Sequence, residues 1–436
     1  MDETVFDVAV IGLGYIGLPT AASFAAKGKK VAGVDVKQAT VDAVNRGEVP
    51  FVEPDMGVVV SGAVSLGNLV AMTTVPAADA FIIAVPTPLA EGNGADLSYL
   101  LSAARAVAPV LRGGELVILE STSPPGTTQR LGAYLLELRP DLSLDALPGR
   151  NQVHVVHSPE RVLPGRIMIE MVTNDRVIGG LTEEGALLAK RLYEVICQGE
   201  ILLTDATTAE MTKLVENTFR DVNIAFANEL SMICDKLGID VWKLIELANH
   251  HPRVNVLRPG PGVGGHCIAV DPWFIVDAVP ELATLTRTAR EVNDAKPHHV
   301  VAQTVAALEA RPGASIAVLG LAFKANIDDV RESPSVTVVE ELLRQIPDAR
   351  LLLVDPNVEE VPAPLAALGI SRLHPLDEAL AGSDLVLLLV DHDEFLSPDP
   401  RALAGKTIID TRGIWTQPKQ EEATRGLATV GATASA

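Results

Sequence analysis

The sequence predicts an α/β protein in which two doubly wound parallel-sheet domains are joined by an all-helical central domain with a long helix. Three observations carry this expectation. Short apolar runs alternate with helix-period segments over residues 1–206 and again over residues 311–416. Between them lies Ala209 to Lys236, a stretch without Pro or Gly that keeps helical spacing throughout. Finally, Val8-Ala9-Val10-Ile11-Gly12-Leu13 and Ile316-Ala317-Val318-Leu319-Gly320-Leu321 look like one strand-to-turn unit used twice. At 436 residues, with 48% hydrophobic and 21% charged content, the chain is long enough for two or three domains with real cores.

Phe6 to Ile11 is a short apolar run ending at glycines, the pattern of a buried parallel strand. Leu18 to Lys27 has helical spacing and stops at Gly28, and Val31 to Val34 is a second strand ending at Asp35. Further strands are expected at Ala80–Val85, Leu116–Leu119, Val153–Val156 and Arg176–Ile178. Each ends in Pro, Gly, Ser or Thr, so loops gather at strand C-termini, where doubly wound sheets bind ligands. From about Thr207 the period changes, and helices are expected over Ala209–Lys236, Val241–Asn249 and Ala283–Ala310, making 207–310 the central domain. Past Arg311-Pro312-Gly313, strands are expected at Ser315–Leu319, Arg350–Val354, Leu385–Val390 and Thr407–Ile409. The tail 417–436, rich in Ala, Thr, Gly and Glu, is expected to be disordered.

With 35 Lys+Arg against 56 Asp+Glu the net charge is -21, which argues against nucleic acid or an anionic membrane as partner. Any anionic ligand must meet a locally basic pocket. Met1-Asp2-Glu3-Thr4 has neither a basic nor an apolar leader pattern, and the longest apolar runs are too short to cross a bilayer. Three cysteines, Cys197, Cys234 and Cys267, form an odd and sparse set that favours a reducing cytoplasm over a disulfide framework.

Gly12-Leu13-Gly14-Tyr15-Ile16-Gly17 follows a strand and opens a helix. Its glycines allow a tight turn and let a pyrophosphate approach the positive helix N-terminus, as in Rossmann-like domains. Asp35 would accept hydrogen bonds from the adenosine ribose and repel a 2′-phosphate, so NAD is expected rather than NADP. The bland alternative is a glycine turn kept for packing.

Pro259-Gly260-Pro261-Gly262-Val263-Gly264-Gly265-His266-Cys267 places a thiol in a glycine-rich loop, with Asp271 four residues on. Most cysteines simply pack, and Cys197 and Cys234, in helical pattern, are read that way. Cys267 is read as a nucleophile. A thiol beside a nicotinamide suggests an oxidation that passes through a covalent thioester. Lys213 and Asn217 lie four apart on one helix face, and Arg220 extends that side by a turn; spacing alone favours an ordinary solvated face. His250 and His251 lack any companion Cys, His or carboxylate spacing for zinc, so no metal is expected.

Taken together the motifs resemble the UDP-sugar 6-dehydrogenase family that includes UDP-glucose and GDP-mannose dehydrogenases, most closely its UDP-N-acetyl-D-mannosamine dehydrogenase branch. The carriers are Gly12 to Pro19, Glu120-Ser121-Thr122-Ser123-Pro124-Pro125-Gly126, Ser158 to Gly165, Glu216 to Asn223, the cysteine loop, and Phe323-Lys324 with Arg331-Glu332-Ser333-Pro334. The likeness runs from about Asp7 to Trp415. It implies a four-electron oxidation of the sugar C6 alcohol to a carboxylate by two NAD in succession. Cys267 matches the family nucleophile, Lys213 and Asn217 the groups that hold the developing oxyanion, and Asp271 the carboxylate that helps activate water. Thr122 and Glu160 match polar residues of the same site. Tyr15, Ile16, Thr87, Thr127 and Arg331 match cofactor contacts. Arg161, Val162, Arg220 and Gly264 match substrate positions, and Phe323, Lys324 and Arg412 match the residues that hold UDP. The second strand-to-turn unit continues as Gly320-Leu321-Ala322-Phe323-Lys324 and lacks the GxGxxG pattern, so a second NAD site is not expected.

His250-His251-Pro252-Arg253-Val254-Asn255 resembles the acetylmannosamine branch, and the family's dimers place this segment near the neighbouring subunit's substrate, so His251 and Arg253 are expected to act in trans. Alternatively the two histidines merely cap a helix. The resemblance therefore implies a cytoplasmic homodimer or higher oligomer with shared sites, supplying an acidic sugar for surface polysaccharide. Rival readings are the same chemistry on UDP-N-acetylglucosamine or UDP-glucose, a single-step hydroxyacid dehydrogenase, and a non-catalytic NAD/UDP-sugar sensor.

Overall fold

The computed structural model describes residues 5–415 apart from 52, 164, 310 and 312; the expected tail, 417–436, lies outside the described residues. Two compact units form. One contains the chain up to Val222 together with Cys267–Arg290, and the other contains Asn223–His266 and the chain from Glu291 on.

In the first unit the strands are β1 (Phe6–Ile11), β2 (Val31–Val34), β3 (Leu69–Met72), β4 (Ala78–Ile83) and β5 (Leu116–Leu119). After a small separate pair, β6 (Leu142–Ser143) and β7 (Asn151–Gln152), come β8 (His154–His157), β9 (Arg176–Gly180) and β10 (Ile201–Asp205). The main sheet has the order β10-β9-β8-β5-β4-β1-β2-β3. Successive side chains of a strand point to opposite faces. Accordingly Val8 and Val10 enter one core and Ala9 and Ile11 the other, which is why Val8–Ile11 reads as an unbroken apolar run. Each fully buried aliphatic side chain contributes about 1.5–3 kcal/mol.

Two details depart from the expectation. The β8–β9 join is antiparallel, with His157 opposite Gly179. An apolar run carries no direction of its own, so the expected all-parallel sheet is corrected at this one join. In addition, β3 and β10 went unpredicted; they are the two edges of the sheet. β10 passes directly into the helix starting at Ala206, with no Gly or Pro to mark the change.

The second unit carries β11 (Ile316–Leu319), β12 (Leu351–Val354), β13 (Leu385–Leu388) and β14 (Thr407–Asp410), in the all-parallel order β12-β11-β13-β14. Ile316 and Val318 face one core, Ala317 and Leu319 the other. Two long helices, Ala206–Leu237 (32 residues) and Thr284–Glu309 (26 residues, with Pro297 inside), run through both units. Within the first unit they are tied by the buried pair Arg290–Asp221, 2.6 Å apart. Removing one partner of such a pair leaves a buried charge and costs about 3–5 kcal/mol.

Candidate active site

The Gly12–Gly17 turn is built for close backbone passage. Gly12 has φ +96°, and a Cβ there would stand 2.5 Å from the Ala84 carbonyl oxygen; at Gly17 a Cβ would stand 1.8 Å from the Gly12 oxygen. Gly14 differs, having nothing within 4 Å of where a Cβ would be. The helix Gly17–Ala26 opens from Ile16 with no side-chain cap and no acidic residue in its first turn. Leu18 N–H bonds to the Gly14 carbonyl at 3.1 Å, and no side chain competes for this positive helix end, which suits a pyrophosphate. The residues present fit the dinucleotide.

Asp35 has an additional task that the sequence did not reveal. Its Oδ2 accepts from Leu13 N–H at 3.0 Å and its Oδ1 from Lys37 N–H at 2.9 Å, so it braces the turn. The Tyr15 ring stacks on Phe51 with centroids 4.3 Å apart. Thr87 is half-buried in the loop after β4. Thr127 is buried and donates to Pro124 O at 2.7 Å, at the start of the helix Thr127–Leu138. Glu210 closes that helix end by accepting from Gly126 N–H, Thr128 N–H and the Thr128 hydroxyl, all at 2.6 Å.

Cys267 is exposed, whereas Cys197 and Cys234 are buried. The Cys267 carbonyl accepts from Asp271 N–H at 2.8 Å, so thiol and carboxylate bracket a single turn leading into the helix Asp271–Ala278. Asp271 is buried, and Asn217 Nδ2 donates to its Oδ2 at 2.5 Å. Burial pushes the Asp271 carboxyl up to about 6, against the Asn217 hydrogen bond and the charge of Lys213. Asp271 thus joins the cysteine turn to the Lys213–Asn217 face of the long helix. Arg220 is exposed further along that helix.

Thr122 is half-buried in a loop held by Ser121, whose hydroxyl donates to Val85 O at 2.6 Å. Glu160 is buried and salt-bridged to Arg176 at 2.5 Å. Behind it lies a network that sequence reasoning missed. Glu120 accepts from the Thr20 and Tyr193 hydroxyls, each at 3.0 Å, and stands 3.6 Å from Arg176. Burial, then the charge of Glu160, pushes Glu120 up to about 7 against Arg176 and both hydroxyls. Charged residues immediately after β5 and opening β9 were the available signal. Arg161 spends its guanidinium on Glu216, 2.6 Å away, and on Asp175 O at 3.0 Å, while Val162 packs against the core.

The remaining expected residues belong to the second unit. His251 and Arg253 are exposed after the helix Val241–Asn249, whose C-cap is His250. A Cβ at Gly264 would stand 2.4 Å from Glu332 O, and one at Gly265 would stand 3.0 Å from the Phe323 ring, so these glycines admit the chain's own neighbours. Lys324 is exposed. Arg331 is held bidentately by Asp329, at 2.9 and 2.6 Å. Arg412 pairs with Asp391 at 2.9 Å and donates to Pro259 O at 3.3 Å. Among the described residues no three His, Cys, Asp or Glu side chains cluster as metal ligands, and no helix is long and apolar enough to cross a membrane.

Three family models match in sequence order: the NAD binding domain of the UDP-glucose/GDP-mannose dehydrogenase family over residues 6–197, its central domain over 207–295 and its UDP binding domain over 317–417. An NDP-N-acetyl-D-galactosaminuronic acid dehydrogenase of Ralstonia nicotianae is 54% identical over 94% of this chain and 96% of its own length. The UDP-N-acetyl-D-mannosamine dehydrogenase of Escherichia coli is 52% identical over 94% of this chain and 99% of its own. Among solved structures, the UDP-D-ManNAc dehydrogenase of Pyrococcus horikoshii superposes with a TM-score of 0.84 at 40% identity, covering 94% of this chain and 96% of that one. The chain belongs to the UDP-glucose/GDP-mannose dehydrogenase family and is an NAD-dependent UDP-sugar dehydrogenase.

Proposed function

We propose that this protein is a UDP-N-acetyl-D-mannosamine 6-dehydrogenase, converting the C6 alcohol to the carboxylate of UDP-N-acetyl-D-mannosaminuronate for surface polysaccharide biosynthesis. The observation that carries the chemistry is the exposed Cys267 thiol on the same turn as the buried Asp271, which Asn217 holds. NAD, when bound, supplies the hydride acceptor for both oxidations. Gly12, Gly14, Tyr15, Ile16 and Gly17 would hold it, together with Asp35, Thr87 and Thr127.

Lys213 takes the proton of the C6 hydroxyl and, with Asn217, steadies each oxyanion. Cys267 adds its thiolate to the aldehyde carbon, first as a thiohemiacetal and then, after the second oxidation, as a thioester. Asp271 takes a proton from the attacking water, hydrolysis releases the carboxylate, and the thiol returns. One CH₂OH group, one water and two NAD⁺ yield one carboxylate, two NADH and three protons. Thr122, Glu160, Arg161 and Val162 frame the sugar with Arg220 and Gly264, while Phe323, Lys324 and Arg412 hold the UDP. The compartment implied is the cytoplasm, and the working unit is a homodimer or higher oligomer in which His251 and Arg253 reach a neighbouring site.

The Ralstonia relative, at 54% identity, favours a second reading with N-acetylgalactosamine, a diastereomer of N-acetylmannosamine, as the sugar. The test is NADH release across UDP-linked N-acetylmannosamine, N-acetylgalactosamine, N-acetylglucosamine and glucose. Two NADH per sugar, with N-acetylmannosamine preferred in kcat/KM, is expected. One NADH per sugar would end the thioester mechanism, and preference for another sugar would replace the substrate while keeping the chemistry.

A further inference from the structure

The two sheets contain the same turn twice, down to individual hydrogen bonds. Gly12 has φ +96° and Gly320 φ +95°. In each case the following leucine is buried, and its N–H donates to the carboxylate just after the next strand: Leu13 to Asp35 at 3.0 Å, Leu321 to Asp355 at 2.7 Å. The other carboxylate oxygen accepts from the residue two further on, Lys37 N–H or Asn357 N–H, both at 2.9 Å. Asp355 is therefore the second sheet's counterpart of Asp35. The correspondence extends to the neighbouring strands β4 and β13, just after which Ala84 N–H donates to Ile11 O at 2.8 Å and Leu389 N–H to Leu319 O at 2.9 Å. Three residues beyond each, Thr87 and His392 stand at equivalent places.

There the two sheets diverge. Thr87 is half-buried, while His392 is fully buried with Nε2 3.2 Å from Asp355 Oδ2. Its Nδ1 lies 3.0 Å from Asn326 N and 2.8 Å from Asn357 Nδ2. A backbone N–H can only donate, so Nδ1 accepts, and the ring hydrogen sits on Nε2 and is donated to Asp355. Asn326 adopts the left-handed conformation, φ +62°, and its side-chain oxygen accepts from Asp393 N–H at 3.0 Å. A non-glycine residue keeps such a conformation when its surroundings determine it. Lys324 lies two residues before Asn326, and Phe323 three.

We infer that His392 is a positioning residue for nucleotide recognition. It fills the place beside Asp355 that a ribose would take, which closes this sheet to a dinucleotide. It also fixes Asn326, and through it the Phe323-Lys324 loop, in the shape that meets UDP. The inference rests on the reading of Phe323 and Lys324 as UDP contacts.

The experiment compares Lys324→Ala, His392→Phe and His392→Gln in the full-length enzyme, using calorimetric titration with UDP and steady-state kinetics for both substrates. Lys324→Ala checks the underlying reading: an unchanged UDP affinity there would mean that the loop is not the UDP site. His392→Phe keeps a flat aromatic ring, somewhat larger than imidazole, edge-on to Phe395 while removing both nitrogens. It is expected to raise the KM for the UDP-sugar and the Kd for UDP about tenfold, leaving kcat and the KM for NAD within about twofold. His392→Gln, which can still offer one acceptor and one donor, is expected to stay within about threefold of wild type. A merely structural role would lower the active fraction, hence kcat, with both KM values unchanged. That pattern, or wild-type UDP affinity in His392→Phe while Lys324→Ala is impaired, would overturn the inference.

Discussion

Asp271 is 2% exposed, and loss of water pushes its carboxyl up to about 6 although Asn217 and Lys213 favour ionisation. Because this lies above the value of an unfolded aspartate, about 4, the folded state retains a proton that the unfolded chain has lost between those pH values. Stability therefore falls as pH rises through that window, by about 3 kcal/mol at pH 7 and above. Asp271→Asn is expected to be more heat-stable than wild type at pH 8 and nearly equal to it at pH 4, while losing thioester hydrolysis. Thermal scans at the two pH values check this, and a gap that does not widen with pH would contradict it. Cys267→Ser is expected to lower acid production at least about a thousandfold with NAD affinity unchanged, since a hydroxyl is a poorer nucleophile and leaving group. Near-normal turnover in that variant would remove the covalent route. Cys267, with Asp271 four residues on, stood out in the sequence because a thiol among glycines is an unusual pattern. Glu120, Arg176 and Tyr193 were not, because a buried polar network joins residues far apart in sequence. Their ionic character is visible only once β5 and β9 are placed in one sheet.

The strand-turn-helix element around Gly12–Gly17 separates two kinds of glycine. Gly14→Ala meets nothing within 4 Å, so the fold should be retained, with Tm unchanged within a few degrees, while NAD affinity falls because the methyl group enters the pyrophosphate's space. Gly17→Ala would place a methyl 1.8 Å from the Gly12 oxygen, so the turn must move, and both Tm and NAD affinity should drop. Equal Tm values for the two variants, by differential scanning calorimetry, would show that the turn is softer than its contacts indicate. At this scale the sequence was informative wherever a strand is buried on both faces, as in β1 and β11, since continuous apolar runs bounded by glycine have few other uses. It was silent on β8 and β9 running antiparallel, because strand direction is set by the connection rather than by the run. Helix ends were readable to within three residues: Ala209–Lys236 was expected and Ala206–Leu237 is found, its start masked by the unbroken passage from β10.

The long helix exposes a row of large apolar side chains in the single chain: Val215 (47% exposed), Phe219 (68%), Phe226 (51%), Ile233 (45%) and Leu237 (65%). Their spacings of four and seven residues align them along one side of the helix, a stripe that a second copy of the chain would cover. Phe226→Glu combined with Ile233→Glu is expected to yield monomers in sedimentation analysis; dimers persisting in this variant would place the interface elsewhere. Whether the active sites are shared follows from Arg253, which is exposed in the single chain beside His251. If it reaches the neighbouring subunit's sugar or diphosphate, Arg253→Ala should weaken substrate use by about 2–5 kcal/mol, the cost of truncating a charge buried at an interface, and spare the KM for NAD. A mixing experiment separates action in trans from action in cis. Arg253→Ala and Cys267→Ser chains should each be strongly impaired alone, but a hybrid dimer contains one site that combines an intact Cys267 with the intact Arg253 of the other chain. Activity should therefore return on mixing, toward one working site per hybrid dimer, or half the wild-type value for that species. Exchange of subunits must be verified independently, for instance by mass spectrometry of chains carrying different tags. With exchange established and no activity regained, Arg253 serves its own chain or does not touch substrate. The segment from His250 to Asn255 would then lose its part in choosing the sugar.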